Sequence, residues 1–234
     1  MADRPYTLLS CGVSLDGYLD SPATARLPLS NAADFDRVDA VRAGSDAILV
    51  GAATVRNDNP RLLVRSPDRR ADRVARGLTP SPAKVTVTAS GRLDPRSQFF
   101  TAGETDKFVY CPRGIADPVR ARLEHHATVI DLDAPLMMRE LSDDLSARGV
   151  NRLMVEGGGT LHTQFLTAGL ADELQLVVAP LFVGDSRARR FALDGRYPWT
   201  AERRAELADV RRIGDVVLLR YALSPRYEAE RLDP

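Results

Sequence analysis

The residues from 150 to 166, VNRLMVEGGGTLHTQFL, combine an acid, three glycines and two hydroxyls where the chain changes character twice. Residues 152–155 are short and mostly apolar, as expected of a strand buried on both faces, and Leu161, Phe165 and Leu166 follow at helical spacing. The implied order is strand, glycine corner, helix. Gly157, Gly158 and Gly159 allow positive φ and let a ligand approach the backbone. Thr160 is placed to cap the helix, whose N–H groups and dipole favour an anion such as a pyrophosphate. A glycine triplet fits a tight turn without a ligand equally well. Glu156 favours a site, because a carboxylate at the carboxyl end of a central strand lies where open α/β sheets bind ligands.

Three further corners repeat the pattern. SLDG at residues 14–17 follows a predicted buried strand over 6–13, with Asp16 and Gly17 supplying turn chemistry. Asn31 then offers an N-cap with Asp34 three residues on, and the helix it starts is expected to end near Gly44, with Arg42 in its last turn. Taken alone, Arg42 reads as a surface charge complementing the helix dipole. A strand over 46–50 runs into Gly51, Ala52, Ala53 and Thr54, small residues against which a cofactor could lie, and Asn57, Asp58, Asn59 and Pro60 end the short helix. Ser90 leaves a strand over 85–88 in the same manner.

To position four such corners the chain needs strands alternating with helices, which means a largely parallel sheet. Further strands are expected over 108–111, 129–131 and 173–179, with helices over 117–124 and 136–147. The segments 205–213 and 216–223 flank Gly214 and Asp215 as an antiparallel hairpin added to the sheet. The polar, arginine-rich residues 66–83 read as an exposed and partly mobile loop, and 224–234 as a frayed charged tail. With 234 residues and no dividing linker, one domain is expected.

Composition narrows the chemistry. Lys84 and Lys107 are the only lysines and both start predicted strands, which argues against a Schiff base and leaves any phosphate to arginine. His125, His126 and His162 lack ligand spacing with acids or cysteines, so no metal is expected. The net charge is zero with both signs interspersed, which points away from nucleic acid and membrane surfaces and towards a small-molecule ligand. No signal segment precedes the first strand, and Cys11 and Cys111 read as free buried thiols of a reducing cytoplasm.

The four corners in order, SLDG, ILVGAATVRNDNPRLLVR, ASGRL and VEGGGTLHTQFL with GLADEL and APLFVG behind it, resemble the RibD-type reductase domain of riboflavin biosynthesis over nearly the whole chain. The resemblance implies a dihydrofolate-reductase-like fold, an α/β architecture with a mostly parallel sheet, and NADPH-dependent reduction of a ribosylamino-pyrimidine 5′-phosphate at ribose C1′. It further implies a homodimer. Carried over residue by residue, it assigns cofactor contacts to Gly12, Thr54, Asp58, Ser90, Gly158, Gly159, Thr160, Leu161, His162, Thr163 and Gln164. Substrate contacts fall to Arg42, Leu62, Arg65 and Glu156, with Arg42 and Arg65 clamping the sugar phosphate. Asp58 and Glu156 are the candidate catalytic groups, the proton donor staying open between Asp58 and water. Tyr18 stands where the family usually has a lysine or arginine, and Pro28 where it has a tryptophan. Tyr18 keeps alive a same-fold reductase of a pterin or a specialised-metabolite precursor, and a non-catalytic NADPH-binding module is a third reading. The zinc signatures of the deaminase often fused to this reductase are missing, so a reductase alone is expected.

Overall fold

The computed structural model describes residues 4–22 and 27–227. In chain order it contains β1 (Tyr6–Ser14), α1 (Ala32–Ala43), β2 (Ala47–Gly51), α2 (Ala52–Asp58), α3 (Pro67–Ala75), β3 (Ala83–Val87) and α4 (Gln98–Thr101). There follow β4 (Lys107–Pro112), α5 (Ala116–Leu123), β5 (Thr128–Leu132), α6 (Met138–Ala147), β6 (Arg152–Gly157), α7 (Gly159–Thr167), β7 (Glu173–Ala179), β8 (Glu206–Ile213) and β9 (Val216–Ala222). The described residues pack as two compact units, each discontinuous in sequence: residues 39–154 with Arg4 and Pro5, and the described residues of 6–38 with 155–227.

In the first unit the strands lie in the order β5-β4-β3-β2, with the start of β6 beside β2. The pairs among β2, β3, β4 and β5 are parallel, aligned as Ala47 with Ala83, Lys84 with Lys107 and Phe108 with Thr128. Both faces of β2 are covered, which is why it reads as an unbroken apolar run. Ile48, Val50, Val55, Phe99, Val109 and Leu123 form a core under α2, α4 and α5. α4 escaped the sequence reading because it is a single turn of four residues. The fully buried Lys84 donates to its carbonyls at Phe99 (3.0 Å) and Ala102 (2.5 Å), so a lysine that looked like an ordinary strand residue serves as a helix cap.

The expected loop over 66–83 is corrected by α3. Its start carries the standard signals that the high arginine content obscured: Ser66 as N-cap, its Oγ accepting from the Arg69 N–H at 3.3 Å, Pro67 at the first helical position and Asp68 in the first turn. Arg73 closes the helix against the core with 2% exposure.

In the second unit the end of β6 leads to the order β1-β7-β9-β8. β1 and β7 are parallel from Leu8 opposite Glu173 to Ser14 opposite Ala179, whereas β9 pairs antiparallel with both β7 and β8. The result is the predicted class, a mostly parallel sheet ending in an antiparallel hairpin, which turns at Gly214 with φ +63°. Asn31 caps α1 as predicted, accepting from the Asp34 N–H at 3.0 Å, and its amide also donates to the Ile213 carbonyl at 2.7 Å. A buried polar chain links the strands beneath: Glu173 accepts from Tyr6 (2.9 Å), Gln175 (2.9 Å) and Arg220 (3.0 Å), and Arg37 bridges Gln175 to Asp34. The first part of the expected tail is tied down instead of frayed. Ser224 donates to Asp172 at 2.5 Å and Arg226 lies 3.5 Å from the same carboxylate, while residues 228–234 lie outside the described residues.

Candidate active site

In the first unit, the last turn of α1 brings Arg42 onto the segment after α2, where its Nη1 donates to the Leu63 carbonyl at 3.4 Å. Two residues on, the Arg65 N–H donates at 2.5 Å to Asp39, which also lies 3.7 Å from the Arg65 Nε. The two arginines expected to share a phosphate are thus joined to one short stretch of backbone. Leu62 within it is buried and holds φ +50°, a conformation costing a non-glycine residue about 1–3 kcal/mol unless its surroundings enforce it. Thr54 and Asp58 lie one turn apart on α2 and so on one face. Asp58 is exposed at the helix end and Thr54 is half-buried.

Ser90 is exposed in the loop after β3 and accepts from the Arg92 Nε at 3.4 Å. Close by in sequence runs a groove of about 560 Å³ lined by Arg56, Arg92, Arg96 and Arg122 with Leu93, Asp94 and Pro95. Arg56 and Arg122 spend a hydrogen bond each on main-chain carbonyls, of Arg92 (3.2 Å) and Gly91 (2.8 Å), and only Arg96 faces a carboxylate, Asp94. Arg113, which follows β4, is engaged by Asp131 at 3.2 Å and Asp133 at 3.3 Å. The groove was not foreseen, because its arginines come from α2, the loop after β3 and α5.

In the second unit, Glu156 is half-buried near the end of β6, and Gly158 takes φ +93° as N-cap of α7 without a side-chain cap. Thr160 therefore does not cap the helix: it is the second helical residue, exposed, and the glycine corner leaves the first-turn N–H groups to a ligand or water. Gly159 is obligatory, since a Cβ there would lie 2.1 Å from the Arg190 carbonyl oxygen. Leu161 is buried; Thr163 donates to the Gly159 carbonyl at 2.7 Å and accepts from the Leu193 N–H at 2.9 Å. His162 is wholly buried edge-on to Phe191, 5.4 Å between ring centroids, neither ring nitrogen having a partner, and burial lowers its pKa to about 4. Of the α7 side chains assigned to the cofactor, Thr160 is exposed, Thr163 and Gln164 are partly buried, and Leu161 and His162 are buried. Gly12 sits in β1 opposite Val177, with Leu29 so close that a Cβ would meet its carbonyl at 3.1 Å.

Tyr18 is buried, and Arg190 lies over its ring at 4.8 Å while donating to its hydroxyl at 3.1 Å. A cation therefore stands beside residue 18, supplied by the segment after β7. The run of arginines at 187, 189 and 190 was the signal for it, read from sequence only as a loop. Pro28 is exposed. Among the described residues, no cluster of histidine, cysteine and acidic groups could hold a metal ion, and no helix is long and apolar enough to cross a membrane.

Comparison with known proteins bears on this geometry. A 2,5-diamino-6-ribosylamino-4(3H)-pyrimidinone 5′-phosphate reductase of Archaeoglobus fulgidus is 34% identical over 183 residues, covering 77% of this chain and 83% of that protein. The protein of the same name from Methanothermobacter thermautotrophicus is 35% identical over 188 residues, covering 80% and 82%. The solved structure of a diaminohydroxyphosphoribosylaminopyrimidine deaminase/5-amino-6-(5-phosphoribosylamino)uracil reductase from Thermotoga maritima shares the fold, with a TM-score of 0.75 at 20% identity. That match covers 94% of this chain and 56% of the other, so this chain spans a little over half of that protein's length. Residues 5–219 match the RibD C-terminal domain, and with these identities over most of both partners the chain belongs to the RibD C-terminal domain family.

Proposed function

We propose that this chain is an NADPH-dependent reductase of 2,5-diamino-6-ribosylamino-4(3H)-pyrimidinone 5′-phosphate, the substrate named for its relatives in riboflavin biosynthesis. The observation that carries this reading is the joining of Arg42 and Arg65 to one backbone segment, since two guanidinium forks there suit a sugar phosphate. Glu156, half-buried at the end of β6, is the group we assign to the pyrimidine and sugar, with Leu62 as an apolar contact.

The chain also fits a phosphorylated dinucleotide. In the first unit Arg92 meets Ser90, and Arg56, Arg92 and Arg122 have no carboxylate partner among the described residues; in the second unit α7 begins behind Gly158 with no side-chain cap. Thr54, Asp58, Ser90, Thr160 and Gln164 supply side chains for this cofactor in our reading, and Gly12, Gly158 and Gly159 supply close backbone. NADPH, when bound, supplies the hydride that reduces C1′ of the substrate's ribose to the ribityl product. The protein's share is to hold phosphate and base at fixed positions so that C1′ is presented in one orientation. Asp58 and Glu156 are the carboxylates we assign to catalysis, with Asp58 or water as the proton donor.

A homodimer and a reducing cytoplasmic setting belong to the same reading. Leu207 and Val210 on β8 and Val217 on β9 are exposed apolar residues at a sheet edge that needs cover, and Cys11 and Cys111 are free thiols. Light scattering at micromolar concentration giving a mass near 25.6 kDa would remove the dimer. The test of function is NADPH oxidation followed with the ribosylaminopyrimidine phosphate and with dihydrofolate in parallel: turnover is expected with the first alone, and turnover of dihydrofolate alone would overturn the assignment.

A further inference from the structure

The segment from Leu62 to Ser66 belongs to no helix or strand, yet the three peptide groups from the Leu63 carbonyl to the Ser66 N–H are all taken up by side chains. Arg42 donates to the Leu63 carbonyl at 3.4 Å, and Ser81 Oγ accepts from the Val64 N–H at 3.0 Å. Arg70 donates to the carbonyls of Val64 (3.2 Å) and Arg65 (2.7 Å). Asp39 accepts from the N–H groups of Arg65 (2.5 Å) and Ser66 (3.0 Å). Such a frame fixes the backbone that leads away from Leu62 and its positive φ.

Asp39 is the one acid in this frame. Its carboxylate is 2% exposed, accepts a third hydrogen bond from Arg69 Nη1 at 3.1 Å and forms a longer ion pair with Arg65 Nε at 3.7 Å. It lies three residues before Arg42 on α1, hence on the same helix face. The Arg65 side chain remains 55% exposed, held along its Nε edge beside the buried carboxylate.

We propose that Asp39 is a positioning residue for substrate phosphate recognition: it fixes the backbone and Nε edge of Arg65 relative to Arg42, so that one face of α1 sets both guanidinium groups. The inference rests on the reading above that Arg65 contacts the phosphate. It differs from a structural role in one respect: the kinetic effect of Asp39 must pass through Arg65.

The test is a double-mutant cycle of Asp39→Asn, Arg65→Ala and the pair, with KM, kcat and cofactor affinity measured for each. Asp39→Asn keeps an acceptor for one N–H but removes the charge, and is expected to raise KM about tenfold with kcat within about twofold. In the Arg65→Ala background it should raise KM by less than about twofold. A full tenfold effect on top of Arg65→Ala, or a wild-type KM for Asp39→Asn alone, overturns the proposal while leaving the phosphate reading in place. A wild-type KM for Arg65→Ala overturns the phosphate reading, and Asp39's role falls with it. Should Asp39→Asn not fold, Asp39→Glu, which keeps the charge and displaces it by one methylene, carries the same cycle.

Discussion

Arg73 donates from a single nitrogen to the carbonyls of Ala43 at 2.7 Å and Ser45 at 2.8 Å, while its Nε reaches the Thr79 carbonyl at 2.9 Å. One buried guanidinium from α3 thereby caps the carboxyl end of α1, the helix that carries Arg42. Burial lowers the pKa of Arg73, and the charge of Asp46 works the other way. Arg73→Met strands three carbonyls and should cost about 2–5 kcal/mol in urea unfolding. Arg73→Lys should recover only part of that, because an ammonium cannot span the three acceptors as a planar fork does. A loss below about 0.5 kcal/mol, the level of a surface change, would contradict the capping role.

Arg42→Ala and Arg65→Ala should each weaken substrate binding by about 2–5 kcal/mol and leave NADPH affinity nearly unchanged. Arg65→Lys separates geometry from charge: a clamp using the guanidinium fork stays impaired with lysine, whereas one needing only charge recovers. Wild-type KM in both alanine variants would move the phosphate site elsewhere.

The arginine groove makes a separate prediction about the cofactor. NADPH should bind at least about tenfold more tightly than NADH, and Arg92→Ala should bring the two close together by weakening NADPH alone. Arg113→Ala is the control, since Asp131 and Asp133 already engage that side chain. Fluorescence titrations showing equal wild-type affinities would sink this assignment.

Lys84 gives a pH dependence with a definite sign. Its burial, together with the charge of Lys107 on the adjoining strand, lowers its pKa from 10.5 to about 7. Between those values the unfolded chain holds the proton more often than the folded one, so stability should rise as pH goes from about 7 towards 10. Below pH 7 the full penalty of the buried charge applies. Urea midpoints from pH 6.5 to 9.5 should climb, and Lys84→Met should flatten the climb. A fall over the same range in the wild type would contradict the shift.

Local sequence signals sufficed where one residue or one period decides the outcome. The extent of β7, the Asn31 cap and the hairpin at Gly214 were all legible, because apolar runs, capping side chains and turn glycines act over a few positions. α3 was missed when the charge of its arginines outweighed the Ser-Pro-Asp start, and composition says little about a helix whose buried contact is itself an arginine. At the site, the strand-end positions of Glu156 and Gly158 could be placed from spacing. The burial of His162 could not, since its neighbour Phe191 lies far along the chain. The same holds for the pairing of Arg190 with Tyr18 and for the groove of Arg56, Arg92 and Arg122, which depend on contacts that only the folded chain makes.

The interleaving of the two units bears on how the protein is made. Residues 39–154 bring together β2, β3, β4 and β5 from one continuous stretch, so that sheet can close while synthesis is still under way. β1 leaves the ribosome earlier and waits longest, because the Thr7 N–H donates to Asp172, 165 residues downstream, and Leu8 pairs with Glu173 beyond it. Until β7 emerges, a nine-residue apolar strand stays without that neighbour. β1 is therefore an unpaired edge for as long as residues 155–179 have yet to be made, and slowing translation over them is expected to prolong that exposure.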